Sequence, residues 1–414
     1  MDGSVIMKNI LYISYDGMTD PLGQSQVLPY IFGLSKLGFT FHLISFEKAD
    51  KFRQHRAVIQ AKCAENNVIW HPLSYTKKPP LISTIWDVYR MKKLARTLHV
   101  QHQFELLHCR SYIAALVGLN FKRKLKIPFL FDMRGFWADE RIDGKIWKKD
   151  SFIFGKVYSY FKKKELSYFQ EADQVISLTE NGATEILSWK TLKIKPQITV
   201  IPCCVDLALF DPSKIVDGDK IQLKASLGIA EGQIVVGYVG SIGTWYMLPE
   251  MLQFFKYYLT QESSAIFLFV TGENPSTILE QATLQGISSE SIRITSCLHA
   301  EVPKHISLFD FSVFFILSSY SKKASSPTKQ GELMAMGIPL VCNAGVGDTD
   351  KIVLANKSGV VLNEFTDNAF DTALHELKLI SPNHFQAKTS ATFGLFEGIQ
   401  RYAEVYQKII SPKD

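Results

Sequence analysis

The sequence lacks any apolar run long enough to cross a membrane. Its most apolar stretches, 265–270 and 311–317, are far shorter than the roughly 20 residues that a spanning helix needs. The first seven residues are polar and lead directly into a predicted strand, unlike a signal peptide. We therefore expect a cytoplasmic protein, which could contact a membrane only at its inner face.

Cysteine motifs are also missing. The six cysteines include no C-x-x-C pair and do not group with histidines at metal-ligand spacing. No acidic pair of the D-x-D type suggests a metal site, and no tract of low complexity or repeat of solenoid period is present. We expect free thiols in a reducing compartment, no metal and no cofactor.

What the sequence does contain is enough apolar material for two domains. The chain has 414 residues, of which 46% are hydrophobic. Its net charge of +6 is concentrated, because residues 122–164 hold thirteen Lys and Arg against five Asp and Glu. Such a segment favours an anionic partner, and a diphosphate, a nucleic acid and an acidic lipid are all candidates.

Short β-rich runs alternate with helical stretches twice along the chain. This alternation predicts an α/β protein with two doubly wound, Rossmann-like domains, whose ligands lie beyond the carboxyl ends of parallel strands. We expect an N-terminal domain over 1–205, a second domain over 206–392, and a C-terminal helix within 393–414 that packs back on the first. The predicted strands are 8–15, 39–46, 105–108, 128–132, 174–178 and 198–201, then 233–239, 265–270, 292–295, 310–317, 339–342 and 359–362.

The strongest chemical signal is the segment 325–339, SSPTKQGELMAMGIP. Ser326 suits an N-cap, Pro327 the first helical position and Gly337 the position after the last turn. The amino end of such a helix binds anions through unpaired N–H groups. Lys329 would add a cation there, and Ser325, Ser326 and Thr328 would add hydroxyls. Glu332 could accept hydrogen bonds from the two hydroxyls of a ribose. A merely well-capped helix with a solvated Lys and Glu is the alternative.

This segment, with VCNAGVGD after it, resembles the nucleotide-sugar signature of family 4 glycosyltransferases of the GT-B fold. DPLGQSQVLPYI resembles that family's N-terminal glycine loop, ADQVISLTENG its strand and helix before the linker, and VIPCCVDLALF its interdomain crossing. The resemblance implies two Rossmann-like domains that face a central cleft.

The resemblance also implies donor-site roles. It assigns Glu332 to the ribose and places the base near His299 and Gly272. In the glycine loop, Gly23 would approach the diphosphate or the sugar. The family's first signature glutamate falls on Ala324, and the loop after the first strand of the second domain, from Ser241, lacks the family's Arg and Lys. We therefore predict Lys329 and Glu332 as catalytic residues, with Lys329 as the replacement cation.

Charged and aromatic residues meet at the end of a first-domain strand. Asp132, Arg134 and Trp137 suit an acceptor site, where the resemblance also puts acceptor contacts, and His108 ends a neighbouring strand. Structural ion pairing among Asp132, Arg134, Asp139 and Arg141 is the alternative.

The segment 152–164, FIFGKVYSYFKKK, places aromatics and lysines at helical spacing. Phe154, Val157, Tyr158 and Phe161 would either face an anionic membrane or belong to the core. The basic segment carries no nucleic-acid-reading motif, so we expect no nucleic-acid partner.

These features predict a retaining, metal-independent hexosyltransferase. It would move a sugar from a nucleoside diphosphate, with UDP favoured, to a glycan or a lipid-diphosphate-linked saccharide in bacterial surface polysaccharide synthesis. The alternatives are an epimerase or hydrolase of the same fold and a non-catalytic nucleotide-sugar-binding subunit.

Overall fold

The computed structural model describes residues 8–148 and 150–411. They form two compact units: the chain up to Pro202 together with the residues from Leu395 onward, and Cys203–Gly394. The boundaries expected after residues 205 and 392 lie within three residues of these.

The first unit is built on a parallel sheet with the strand order β3-β2-β1-β4-β5-β6-β7. Its strands are β1 (Lys8–Ser14), β2 (Phe39–Glu47), β3 (Val68–Ser74), β4 (Leu106–Arg110), β5 (Phe129–Asp132), β6 (Gln174–Ser177) and β7 (Ile198–Val200). Its helices are α1 (Pro21–Gln26), α2 (Leu28–Ser35), α3 (Ala49–Glu65), α4 (Ile82–His102), α5 (Ser111–Leu125), α6 (Trp137–Asp143), α7 (Phe152–Glu171) and α8 (Glu180–Ser188). The central strands are buried along their length because crossover helices cover both faces, as parallel pairing requires.

The second unit repeats this plan in the strand order β10-β9-β8-β11-β12-β13. Its strands are β8 (Val235–Val239), β9 (Ile266–Val270), β10 (Ile292–Thr295), β11 (Phe311–Phe314), β12 (Leu340–Asn343) and β13 (Gly359–Leu362). Its helices are α9 (Asp217–Ser226), α10 (Leu248–Leu259), α11 (Pro275–Leu284), α12 (Val302–Ile306), α13 (Thr328–Ala335), α14 (Thr349–Asn356), α15 (Asp367–Leu377) and α16 (Pro382–Phe393). The predicted α/β fold with two parallel sheets is confirmed.

The last helix, α17 (Leu395–Ile410), belongs to the first unit, where it packs on α2 and β4. The single helix expected from residue 393 is wrong at its start, because Phe393 ends α16 and the Gly394 amide still bonds to Ser390. Buried Tyr402 and Tyr406 anchor α17 to the sheet.

Two other local predictions are wrong. The sequence pattern of residues 25–37 predicts one helix closed by Gly38, but the structure has two, because the chain breaks at Val27 and α1 already begins at Pro21. Strand β3 was not predicted, since its second half, HPLS, lacks the apolar character of a buried strand. It lies at the edge of the sheet, where a polar strand is tolerated.

Within the described ranges, the helices are all too short or too polar to cross a bilayer.

Candidate functional site

The second unit places its candidate residues where the order in which the chain adds strands to its sheet reverses. Strands β8 and β11 are neighbours, with β9 on one side and β12 on the other, so the connections diverge there. A crevice beyond the carboxyl ends of such strands is the usual ligand site of an open α/β sheet. Ser241 follows β8, and α13 lies between β11 and β12 in the chain.

The start of α13 differs from the expected cap. Pro327 is the N-cap residue, and no side chain of the cap bonds to the first turn. Ser326 does not cap the helix, because its hydroxyl accepts a hydrogen bond of 3.2 Å from the Cys203 amide. The prediction of Gly337 after the last turn is confirmed by its φ of +71°. The amino end of α13 therefore has no capping side chain, which suits an anion site.

Lys329 is buried within its own unit. Its Nζ donates a 2.8 Å hydrogen bond to the Tyr238 hydroxyl and lies 3.9 and 3.8 Å from the ring centres of Tyr238 and Tyr246. Burial lowers the pKa of this amine well below 10.5, and the nearby Glu332 carboxylate offsets only part of the effect. The solvated lysine of the alternative is therefore wrong.

Glu332 and His299 come together as candidate donor residues. Glu332 Oε1 lies 3.5 Å from His299 Nε2, and the His299 ring is half exposed. Glu332 is buried to nine-tenths, whereas Gly272 and Ser241 are exposed at the ends of β9 and β8. Ser325 and Thr328 are partly exposed beside the start of α13.

Three residues of this region were not identified from the sequence: Tyr238, Tyr246 and Lys322. Lys322 is buried with its Nζ 3.8 Å from the ring of Trp245, just as Lys329 lies on Tyr246. The two lysines thus lie against two consecutive aromatic residues of one loop. The sequence did contain a signal for them. The loop after β8 has aromatic residues where the family resemblance leads one to expect Arg and Lys.

In the first unit, Asp132 is the centre of a buried polar network at the end of β5. Its Oδ2 accepts from the Tyr402 hydroxyl at 3.2 Å and lies 3.4 Å from His108 Nε2. Burial alone would raise the pKa of Asp132, but the Arg134 guanidinium, the His108 hydrogen bond and Arg110 outweigh it and lower that pKa. Asp132 is therefore a buried carboxylate.

His108 uses both ring nitrogens inside this network. Nδ1 lies 2.6 Å from the Tyr406 hydroxyl, and the ring packs 4.2 Å from that of Tyr12. Burial lowers its pKa more than Asp132 raises it, so the ring is neutral. This placement gives His108 a structural role, joining β4 to α17.

The predicted ion pairs form only in part. Arg134, in the left-handed region with a φ of +58°, lies 3.8 Å from Asp132. Asp139 instead pairs with Lys162 and Tyr158, and Arg141 stacks on Trp137. Trp137 is itself partly buried in an aromatic cluster and remains a predicted acceptor contact.

Arg110 was overlooked as a candidate. It ends β4 directly beside Asp132 on β5, and it is buried. Its Nε lies 3.5 Å from Asp16 and its Nη1 3.8 Å from Asp132, yet neither nitrogen has a hydrogen-bond partner in the part of the chain that the structure describes. Buried donors without a partner are uncommon in folded proteins, which makes Arg110 a candidate site residue. A charged residue that ends a central strand was the missed signal.

Gly23 has a packing role. A Cβ at this position would lie 2.2 Å from the Gly17 carbonyl oxygen, so only glycine lets α1 approach the preceding loop. That loop is held by Glu47, which accepts hydrogen bonds from the Met18 and Thr19 amides. A donor contact of Gly23 stays a prediction.

The helix predicted over 152–164 exists as α7, but its predicted apolar stripe faces inward. Phe161 is buried against Trp137, and Phe154, Val157 and Tyr158 are partly buried. The burial of these four side chains favours the core alternative for this stripe, and membrane contact by the segment stays a prediction.

Two family models match the chain. The model described as Glycosyltransferase Family 4 matches residues 28–209, and the one described as Glycosyl transferases group 1 matches residues 219–389. This chain is a family 4 glycosyltransferase. The predicted family is confirmed, and no group of three or more His, Cys, Asp or Glu residues that could hold a metal occurs among the residues that the structure describes.

This family 4 glycosyltransferase is 24% identical over 258 residues to alpha-monoglucosyldiacylglycerol synthase of Streptococcus pneumoniae. The match covers 62% of this chain and 55% of that relative, so the chain spans about half the length of the curated relative.

Solved structures show the same fold. Sucrose-phosphate synthase from Thermosynechococcus elongatus matches with a TM-score of 0.71 at 15% identity, covering 97% of this chain and 99% of that one. HepE from Anabaena, in complex with UDP and glucose, matches with a TM-score of 0.68 at 14% identity, covering 96% and 99%. The fold of this family 4 glycosyltransferase is thus GT-B.

The position on which the resemblance places the family's first signature glutamate is Ala324. The side chain is fully buried at the end of the 3-10 helix Tyr320–Ala324. A glutamate at this position would therefore have to be accommodated in the protein interior.

Proposed function

We propose that this chain transfers a sugar from a nucleoside diphosphate, with UDP as the favoured nucleotide, to a glycan or lipid-linked saccharide, with retention of the anomeric configuration. The observation that carries the proposal is the start of α13, an uncapped helix end with Lys329 in its first turn and Glu332 one turn later. The structural neighbour HepE binds UDP and UDP-glucose, which supports the choice of nucleotide.

The chemistry follows from the charge of the leaving group. As the sugar–phosphate bond breaks, negative charge develops on the β-phosphate. Oriented N–H groups and a cation stabilise that charge where water is excluded. The amino end of α13 supplies the N–H groups, and Lys329 supplies the cation. We propose that this makes a metal unnecessary, so that EDTA leaves turnover unchanged.

Glu332 is proposed to bind the ribose. A carboxylate that is mostly buried 3.5 Å from a half-exposed histidine can accept hydrogen bonds from both ribose hydroxyls. His299, which begins the 3-10 helix His299–Glu301, would then lie beside the nucleoside.

The first test is a thermal-shift screen of nucleoside diphosphates followed by their sugars, since a ligand of the folded state raises the melting temperature. UDP should stabilise the chain more than GDP or ADP. Turnover with the best donor, and the anomeric signal of the product by proton NMR, then test transfer and retention. Binding without turnover would favour a non-catalytic subunit, and epimerised donor would favour an epimerase.

The ribose assignment is tested with a matched pair of ligands. Glu332→Gln should weaken UDP binding about 10- to 100-fold, because hydrogen bonds to a charged group are lost. It should hardly change the binding of 2′,3′-dideoxy-UDP, which lacks both hydroxyls. Glu364→Gln, at an exposed position of the same unit, is the control. Equal losses for both nucleotides would remove Glu332 from the ribose site.

A further inference from the structure

Helix α4 exposes a row of large apolar side chains on one of its faces. Ile82, Ile85, Trp86 and Tyr89 are 65%, 70%, 52% and 56% exposed, at the spacing of one helix face. The rings of Trp86 and Tyr89 stack with their centres 5.5 Å apart. Four large apolar side chains in two turns form a patch, not a scatter of single exposed residues.

The orientation of this helix is fixed by buried polar contacts. Asp87 points inward, where it accepts hydrogen bonds from the Tyr15 hydroxyl and from the amide and hydroxyl of Thr76. Rotating α4 to bury the apolar row would expose or break these bonds. The outward direction of Trp86 and Tyr89 is therefore built into the packing.

The same face of α4 becomes cationic in its later turns. Lys93 and Arg96 are exposed below Tyr89. Lys92 lies beside them, and its pKa is lowered by burial and by the neighbouring charges of Arg96, Lys124 and Lys164. Lys124 lies in the last turn of α5 and Lys164 lies on α7, so the positive charge continues across three helices.

These helices form one layer, because α5 packs against both α4 and α7. Together α4, α5 and α7 contain eleven Lys and Arg but three acids. Asp87 and Glu165 are buried, and Glu171 pairs with Arg123. Exposed Phe152, Ile153 and Tyr160 extend the apolar character onto α7. The outer surface of the layer is thus aromatic and positively charged.

We propose that the α4–α5–α7 layer docks on an anionic lipid surface, with Trp86 and its apolar neighbours in the interface and the lysines on the headgroups. Trp and Tyr favour the headgroup region, and each Lys near an anionic leaflet contributes roughly 1 kcal/mol. Helix α4 crosses from β3 to β4, so its apolar first turns lie at the carboxyl edge of the sheet, the edge of Arg110 and Asp132. This deepens the proposed function, because a lipid-linked acceptor would be presented at that edge.

The test uses the full chain and vesicles, with neither donor nor acceptor, so that it is independent of transfer. Cosedimentation should show binding to vesicles of equimolar phosphatidylglycerol and phosphatidylcholine, little binding to phosphatidylcholine alone, and weakening with added salt. Trp86→Ala should lower the partition coefficient about tenfold, and Lys93→Gln about fivefold. Both side chains are exposed, so the melting temperatures should not change.

Matched controls lie on the opposite side of the sheet. Helix α3 connects β2 to β3 in the opposite direction along the sheet from α4, and so covers its other face. Lys51→Gln on α3 and Phe396→Ala on α17 remove side chains that are also exposed and should leave partitioning unchanged. Trp86→Phe should keep binding. Brominated lipids quench tryptophans that contact the bilayer, so they should quench less of the fluorescence of this variant than of the wild type.

Several results would overturn the proposal. They are failure of the chain to bind anionic vesicles, equal binding to neutral vesicles, and unchanged partitioning of Trp86→Ala. A change from dimer to monomer in Trp86→Ala would also overturn it and would assign the face to a second copy of the chain.

Discussion

Lys329 combines burial with a position in the first turn of an uncapped helix. Its amine donates a hydrogen bond to one tyrosine hydroxyl and packs against two aromatic rings. These contacts stabilise the amine without a direct contact to a carboxylate. Since burial lowers its pKa, the residue can gain a proton when an anion arrives. The binding of a diphosphate and of a proton should therefore be coupled.

We predict that UDP binding takes up a proton at Lys329. A diphosphate beside the amine raises its pKa, so uptake occurs at any pH between the values of the free and bound states. Calorimetric titration in two buffers of different ionisation enthalpy measures it. Lys329→Met should abolish the uptake and the turnover, whereas Lys323→Met, at an exposed position, should keep both. Unchanged proton exchange in Lys329→Met would show that the phosphate alone accounts for it.

The sequence singled out some residues of the two sites but not their partners, and the functional roles of these residues stay predictions. Lys329, Glu332 and Asp132 were named from their residue types and local spacing. The partners Tyr238 and Tyr402 were not, because they lie 91 and 270 residues away in the chain. The N-cap role predicted for Ser326 was wrong for the same reason. Its hydroxyl accepts a hydrogen bond from the Cys203 amide, 123 residues earlier in the chain, and not from the first turn of α13.

At the scale of elements, three histidines join two strands to a helix. His42 on β2 lies 3.1 Å from His71 on β3, measured from Nδ1 to Nε2, and its ring packs 4.0 Å from that of His102 at the end of α4. Burial, followed by the charges of the other two rings, lowers the pKa of His42 to about 4. The cluster is stable only while its rings are mostly neutral.

We predict that this cluster makes the first unit acid-sensitive. Because the pKa of His42 is about 4 in the folded state and 6.5 for a solvated histidine, the unfolded chain binds more protons between those values. Stability is therefore present above pH 6.5 and is lost as the pH falls through 4, by about 3 kcal/mol. Urea unfolding of His42→Phe should show a flatter pH profile, and His55→Gln on α3 should not. Parallel profiles for wild type and His42→Phe would refute the assignment.

Strands β10 and β13 were predicted from the sequence to the residue. The outward faces of helices were not. Helical spacing identifies an apolar stripe but not what covers it, so the sequence left the stripe of α7 open between a membrane face and the core. On α4 the buried Asp87 decides the orientation, and its partners come from two other segments.

At the scale of the whole molecule, the first unit is closed by the last helix. Tyr402 and Tyr406 of α17 bond to Asp132 and His108, and Ile399 packs where a side chain on Gly33 would lie. The sequence predicted a returning helix, yet its buried tyrosines follow only from the strands that it meets.

We predict that Tyr406→Phe destabilises the first unit alone. It leaves a buried His108 nitrogen without a partner, at a cost of about 1–3 kcal/mol. Hydrogen exchange by mass spectrometry should show faster exchange in β1 and β4 and unchanged exchange in β8 and β9. The exposed Phe396→Ala on the same helix is the control. Faster exchange in both units would show that the helix stabilises more than its own unit.

Because its last helix closes the first unit, this unit cannot finish folding until the end of the chain has been synthesised. A ribosome completes β1 to β7 long before it reaches Leu395, so the nascent first unit waits through the synthesis of Cys203–Gly394 with Tyr12 and His108 uncovered. The second unit is contiguous and can finish folding first. A stalled or prematurely ended chain would therefore leave the N-terminal sheet as the part that chaperones hold.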